Sequence, residues 1–160
     1  GINVYQLLLT EYSLPKAKIL SRMRHGVPIV NANDPVNDYE MKQLLDSADN
    51  DKLAGIVAQS IQADMVFLLT DVEAVRNIHG SNIPTIYPTI QYEDIITFNG
   101  KSGVGTGGME SKHTVALNLA RNNIPAVICN GRRPNLLLDI ANGEAVGTYY
   151  APLKDCQYTS

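Results

Sequence analysis

Residues 101–129 read KSGVGTGGMESKHTVALNLARNNIPAVIC, and three kinds of segment follow one another within them. The stretch opens with Gly103, Gly105, Gly107 and Gly108. Glycine admits positive φ and lets a ligand approach the backbone closely, so these positions suit a binding loop. From Met109 the spacing becomes helical, with Met109, Lys112, Val115, Ala116 and Leu119 on one face over residues 109–119. Ile124 then begins a short apolar run to Cys129, whose length and turn-rich flank fit a buried strand over residues 126–129. Loop, helix and buried strand in that order make up the repeating unit of an α/β protein.

The same alternation extends in both directions. Short apolar runs at residues 7–9, 27–30 and 65–69, and a weaker one at 146–150, read as strands. Between them, residues 15–23 follow Ser13 as a helix, and residues 50–61 place Leu53, Ile56, Val57, Ser60 and Ile61 on one helical face. The expected fold class is α/β, a layered α/β/α sandwich with a mainly parallel sheet, in which ligands collect beyond the carboxyl ends of the strands. Residues 76–108 are richer in Gly, Pro, Asn and Thr and read as an excursion with a short hairpin and a brief helix near residues 92–98.

Composition narrows the partners. At 160 residues the chain is the size of one domain, the default division. A net charge of −3 supplies no long-range attraction for nucleic acid or an anionic membrane surface, so neither is expected as a partner. No apolar run approaches the roughly 20 residues of a membrane-spanning helix, and the first residues lack the basic and apolar regions of a signal peptide, which predicts an intracellular protein. Cys129 and Cys156 show no metal-ligand spacing, and neither a disulfide nor a zinc site is expected. The absence of an initiator Met and the immediate entry into an apolar segment lead us to expect a chain cut from something longer.

Four places could carry chemistry. The glycine-dense loop running into a helix suits a phosphate, because free N–H groups at a helix start attract anions and Lys112 would add a full charge; a flexible surface loop with a solvated lysine is the competing reading. Gly103, Gly105 and Gly108 also satisfy a dinucleotide fingerprint, which would find Arg132 and Arg133 after the next strand, but that fingerprint needs a buried strand just before its first glycine. Phe98, Asn99, Gly100, Lys101 and Ser102 do not form one. A Walker P-loop is not present either. The sequence Asn31-Ala32-Asn33-Asp34 after a strand could recognise an amino acid's charged groups, or be an Asx turn. Asp49-Asn50-Asp51 opens a helix with more acid than a cap requires. Thr70-Asp71 ends a strand at the expected ligand edge. His25, His79 and His113 sit apart in sequence, and Tyr149 and Tyr150 read as packing residues.

Taken in order, the phrases at residues 27–34, 49–54, 69–71, 105–112 and 147–150 resemble the glutamate 5-kinase branch of the amino acid kinase family. Residues 1–10, 70–73 and 96–102 are similar in wording to the kinase domain of the eukaryotic bifunctional delta-1-pyrroline-5-carboxylate synthases. The resemblance covers nearly the whole chain. It implies the amino acid kinase fold and ATP-dependent phosphorylation of the γ-carboxylate of L-glutamate, the first step of proline biosynthesis, with Mg2+ bridging the ATP phosphates. It also implies roles. Asp34 and Asn50 would hold the glutamate, Asp51 would organise catalytic lysines, Thr70 and Asp71 would meet the nucleotide, and Thr106, Gly107, Gly108, Met109 and Lys112 would embrace its phosphates, with Lys112 also stabilising the transferring phosphoryl group.

Departures from the family pattern set further expectations. A complete domain begins with a strand bearing another lysine and a glycine-serine pair, followed by a serine segment, and residues 1–160 match neither. The chain is therefore expected to be a partial amino acid kinase domain, its carboxyl-terminal nucleotide-binding half, and one reading makes it inactive alone. Asp71-Val72-Glu73-Ala74-Val75 lacks the usual Gly-Leu step, the segment between Thr10 and Val27 is short, and the one between Asp34 and Asp49 carries extra residues. The family implies a homo-oligomer, a reductase domain or partner consuming the acyl phosphate, and location in the cytoplasm or, for a eukaryotic bifunctional enzyme, the mitochondrion. Two alternatives stand beside this: a nucleotide-binding or assembly module without turnover, and a kinase for a different carboxylate acceptor.

Overall fold

The structure, a computed structural model, describes residues 1–9, 23–32, 50–92, 94–98 and 108–158. The helix expected at 15–23 lies outside these except for Met23. The chain forms two compact units, Gly1–Gln62 and Ala63–Ser160. In the first, β1 (Val4–Leu9) pairs in parallel with β2 (Val27–Ala32), with Val4 opposite Val27 and Leu9 opposite Ala32. The strand β2 therefore carries Asn31 and Ala32 inside the ladder, beyond the expected end at Val30. Helix α1 (Asn50–Ile61) has the bounds the sequence predicts and buries Gly55 and Ala58.

The second unit holds a four-stranded sheet built from β3 (Val66–Thr70), β4 (Thr85–Ile86), β5 (Ala126–Asn130) and β6 (Thr148–Tyr150), in the order β3-β5-β6-β4. The β3–β5 and β4–β6 pairs are parallel and β5–β6 is antiparallel, so the sheet is mainly parallel as expected. Residues directly opposite in a ladder point to the same face. Register thus puts Val66, Ala126 and Tyr150 on one face with Leu68, Ile128 and Thr148, and Phe67, Val127 and Tyr149 on the other.

Helix α2 (Met109–Arg121) covers the first face, where the His113 ring meets the Tyr150 hydroxyl. It buries Val115, Ala116, Leu119 and Ala120, extending the spacing read from the sequence by one turn's edge. Helix α3 (Leu136–Ala141) covers the second face, with Leu136 and Ile140 packed on Val127, Cys129, Phe67 and Tyr149. Helix, sheet and helix therefore form the expected three layers. Cys129 is fully buried, and burial pushes its thiol pKa up, which suits a core residue. Because Ile128 has no exposed surface, Ile128→Val should cost about 1 kcal/mol of stability, read from urea unfolding.

The end of α2 is a C-cap with a clear cause. Asn123 adopts φ 62°, its N–H donates to the Ala120 carbonyl at 3.0 Å, and the Ile124 N–H reaches back to the Leu119 carbonyl at 3.0 Å. Asparagine tolerates this left-handed position better than most residues, and Pro125 follows where the helix cannot continue. The Asn123 side chain also accepts the Lys154 N–H at 2.8 Å, tying down the 3₁₀ turn Leu153–Tyr158.

Among the described residues of the excursion there are two isolated antiparallel bridges, Arg76 with Asn82 and Asn77 with Ile96. Arg76 and Asn82 form one antiparallel bridge around a tight loop, where Asn77 Oδ1 accepts the N–H groups of His79 and Ser81 at 2.9 Å each. The brief helix near 92–98 is reduced to a turn, with the Ile95 and Ile96 N–H groups both donating to the Tyr92 carbonyl at 2.9 Å. The short strand β4, sitting at the sheet's edge between Pro84 and Pro88, is the part the pattern did not reveal.

Candidate functional site

The parallel strands β3 and β5 end together, with Thr70 opposite Asn130. Their backbones stay joined one residue further, since the Gly131 N–H donates to the Thr70 carbonyl at 2.9 Å. Thr70 Oγ1 lies 3.4 Å from the Asp71 carboxylate, which is exposed. Thr70 is thus the last residue of a strand at the carboxyl edge of a parallel pair, the edge at which α/β folds hold ligands.

Helix α2 brings its first turn to this same edge. It enters β5 through residues 122–125, a connection so short that helix and strand must run antiparallel. Thirteen helical residues span about 20 Å and five strand residues about 16 Å, so the helix start lies near the level where β3 and β5 stop. Gly108 caps the helix with extended backbone, φ −72° and ψ 176°, and supplies no side-chain hydrogen bond to the first-turn N–H groups. Among the described residues nothing lies within 4 Å of where a Gly108 Cβ would be, so none of them closes the cap. Positive helix-end charge and an open cap favour an anion there. Lys112 is half-buried one turn inside, its N–H donating to the Gly108 carbonyl at 3.3 Å. Glu110, exposed in the first turn, already offers some negative charge to the helix end.

Three rings support this helix from below. Phe98 and His113 lie 5.3 Å apart between centroids, His113 and Tyr150 5.6 Å, and His113 Nδ1 is 2.7 Å from the Tyr150 hydroxyl. Burial, and secondarily Tyr92, pushes the Tyr150 phenol well above its usual range, so it remains a neutral hydrogen-bonding group at any working pH. His113 therefore has a partner that its sequence neighbourhood hides, 37 residues away.

The two arginines after β5 divide. Arg133 forms an ion pair with Asp139 at 3.0 Å, its Nε also bonding the same oxygen at 3.2 Å, whereas the Arg132 backbone N–H donates to Asn130 Oδ1 at 3.0 Å. The Arg133 side chain is 44% exposed, which places the pair among weak surface bridges. Asp139→Asn should accordingly change stability by less than about 1 kcal/mol in a urea titration.

Sequence-predicted residues in the second unit, Thr70, Asp71, Gly108, Met109 and Lys112, therefore gather at one edge. Asn50 and Asp51 open α1 in the first unit, Asn50 exposed and Asp51 half-buried. Asp34, Thr106 and Gly107 lie outside the described residues. Sequence reasoning missed Asn130 and Glu73, whose side chains meet at 2.6 Å across 57 residues of chain. The only hint was an Asn-Gly pair closing the apolar strand. Among the described residues no cluster of three or more His, Cys, Asp or Glu side chains could hold a metal ion, and no helix is long and apolar enough to cross a membrane.

Comparison with known proteins agrees with this fold. The sequence model described as the amino acid kinase family matches residues 1–130. A glutamate 5-kinase of Listeria innocua is 32% identical over 97% of this chain and 62% of its own length. One from a Synechococcus strain is 39% identical over 79% of this chain and 34% of its own length. The chain thus spans less than two thirds of these curated relatives. A solved isopentenyl phosphate kinase has a TM-score of 0.65 at 14% identity, covering 94% of this chain and 60% of that one, a likeness of fold.

Proposed function

We propose that this chain, which belongs to the amino acid kinase family, is the nucleotide-binding half of a glutamate 5-kinase domain and helps transfer the γ-phosphoryl group of ATP to the side-chain carboxylate of L-glutamate. The observation that carries the reading is the meeting of an open, glycine-capped helix start bearing Lys112 with Thr70 and Asp71 at the carboxyl edge of β3 and β5. Identity of 32% and 39% to glutamate 5-kinases supports the choice of glutamate over other acceptors.

In this reading a γ-carboxylate oxygen of glutamate attacks the γ-phosphorus of ATP, the bond to the bridging oxygen breaks, and ADP leaves with that electron pair. Such transfers ask the protein mainly to align donor and acceptor and to neutralise charge. The first-turn N–H groups after Gly108 hold phosphate oxygens, and Lys112 places its ammonium beside the oxygens that gain charge. Mg2+ bound with ATP would supply further neutralisation through the phosphates and needs no all-protein cage. Asp71, exposed just past the strand end, is the carboxylate that would face the nucleotide and its metal. Asn50, Asp51 and Asp34 are assigned to the glutamate side by resemblance. The mixed anhydride product is reactive and suits consumption by a reductase.

The second reading, a nucleotide-binding module without turnover, is favoured by Asp71-Val72-Glu73-Ala74-Val75, which lacks the Gly-Leu step usual after the Thr-Asp pair. The test is ADP release by the full-length protein carrying this chain, given ATP, Mg2+ and a panel of L-glutamate, L-aspartate and N-acetyl-L-glutamate. Glutamate-selective turnover supports the kinase. ATP binding with no turnover on any acceptor supports the module, and turnover on another acceptor reassigns the substrate.

A further inference from the structure

We propose that Asn130 is a positioning residue of the nucleotide site, acting through Glu73 to hold the loop after β3 against the loop after β5. The inference rests on the kinase reading above and concerns two residues to which that reading assigns no role.

Asn130 is the last residue of β5, opposite Thr70 in the ladder. Its amide works in two directions. The Nδ2 group donates to Glu73 Oε1 at 2.6 Å, and Oδ1 accepts the Arg132 N–H at 3.0 Å. The second bond is an ordinary Asx turn, which orders the backbone just after the strand. The first is not local. It joins positions 57 residues apart and fastens Glu73, three residues beyond Thr70, to the neighbouring strand.

Together with the Gly131 to Thr70 backbone bond at 2.9 Å, it makes a closed clamp around Thr70 and Asp71. Those two residues therefore leave β3 with both ends fixed, by the ladder on one side and by Glu73 on the other. A loop held in its binding geometry does not have to be ordered when the ligand arrives, so removing the clamp should weaken nucleotide binding while leaving the glutamate side unaffected. Glu73 is exposed and Asn130 only partly buried, so the bond contributes to placement more than to global stability.

The chemistry of the pair permits a reversal. Asn130→Asp keeps the oxygen that accepts from Arg132 but removes the donor and sets two carboxylates against each other. Adding Glu73→Gln restores a donor facing an acceptor, with the direction of the bond inverted. We expect Asn130→Asp to raise KM for ATP about five- to tenfold, with KM for glutamate within twofold and an unchanged melting temperature, and the double variant to recover most of the loss.

Steady-state kinetics on the full-length protein with ATP varied at saturating glutamate, then the converse, provides the readout, alongside thermal melts. Lys112→Ala serves as the control for the nucleotide site itself. A KM for ATP unmoved in Asn130→Asp, or one that rises only with a fallen melting temperature, or no recovery in the double variant, overturns the inference while glutamate-dependent turnover lost in Lys112→Ala leaves the kinase reading standing. A wild-type protein that neither binds nor uses ATP overturns both.

Discussion

Lys112→Ala in the full-length protein is expected to lower kcat for glutamate-dependent ADP release at least about a hundredfold, with KM for glutamate within a few-fold of wild type. The argument begins with backbone. Gly108 caps α2 without a side chain, so the helix end presents N–H groups and the positive end of its dipole where the proposed reading puts a phosphate. Those partial charges interact with ground state and transition state alike. A full ammonium beside the oxygens that gain charge during transfer acts differentially, which is the condition for raising kcat. Lys112 sits about one turn into the helix and is half-buried, so part of its side chain is covered. Lys112→Arg keeps the charge but replaces a compact ammonium with a planar fork and should recover only part of the rate. A Lys112→Ala enzyme with unchanged kcat would remove Lys112 from the chemistry and return the loop to a surface role.

How much of this site could be read from sequence depended on how local each signal was. Thr70 and Asp71 were legible because an apolar strand ends on them, and Gly108 to Lys112 because a glycine run gives way to helical spacing at a definite residue. Asn50–Ile61 was recovered at both ends for the same kind of reason, a polar start followed by regularly spaced apolar positions. The Glu73–Asn130 and His113–Tyr150 contacts were not legible. Each joins residues distant in sequence, and neither partner carries a pattern that points to the other. Periodicity also needs length. Two residues of β4 and six of α3 are too few to establish a period, so both elements emerge only from their packing on the sheet.

The Gly147-Thr148 pair shows how a family-like phrase can be structural and still reach the site. Gly147 has φ +73°, and a Cβ there would collide with the Ile128 carbonyl oxygen and approach Cys129 Cβ to 2.8 Å. Gly147→Ala therefore combines a left-handed backbone penalty of about 1–2 kcal/mol with a clash against a strand that cannot move easily. The fully buried Thr148 hydroxyl donates to the Ile83 carbonyl at 2.7 Å and accepts the Val75 N–H at 2.9 Å, while the Ile83 N–H donates to the Val75 carbonyl at 2.8 Å. Thr148→Val keeps the shape but strands a buried donor and an acceptor, at about 1–3 kcal/mol each. We expect each of the two variants to lose about 3 kcal/mol or more in urea unfolding, a large part of a typical total of 5–15 kcal/mol. Thr148→Ser, which retains the hydroxyl and loses a methyl, should cost only about 1 kcal/mol. Equal losses for Thr148→Val and Thr148→Ser would show that packing, not the paired hydroxyl, holds this point. Because Val75 ends the segment that begins at Asp71, the hydroxyl also anchors the far side of the loop to which the proposed reading assigns the nucleotide. Thr148→Val should then raise KM for ATP even at temperatures where the variant remains folded.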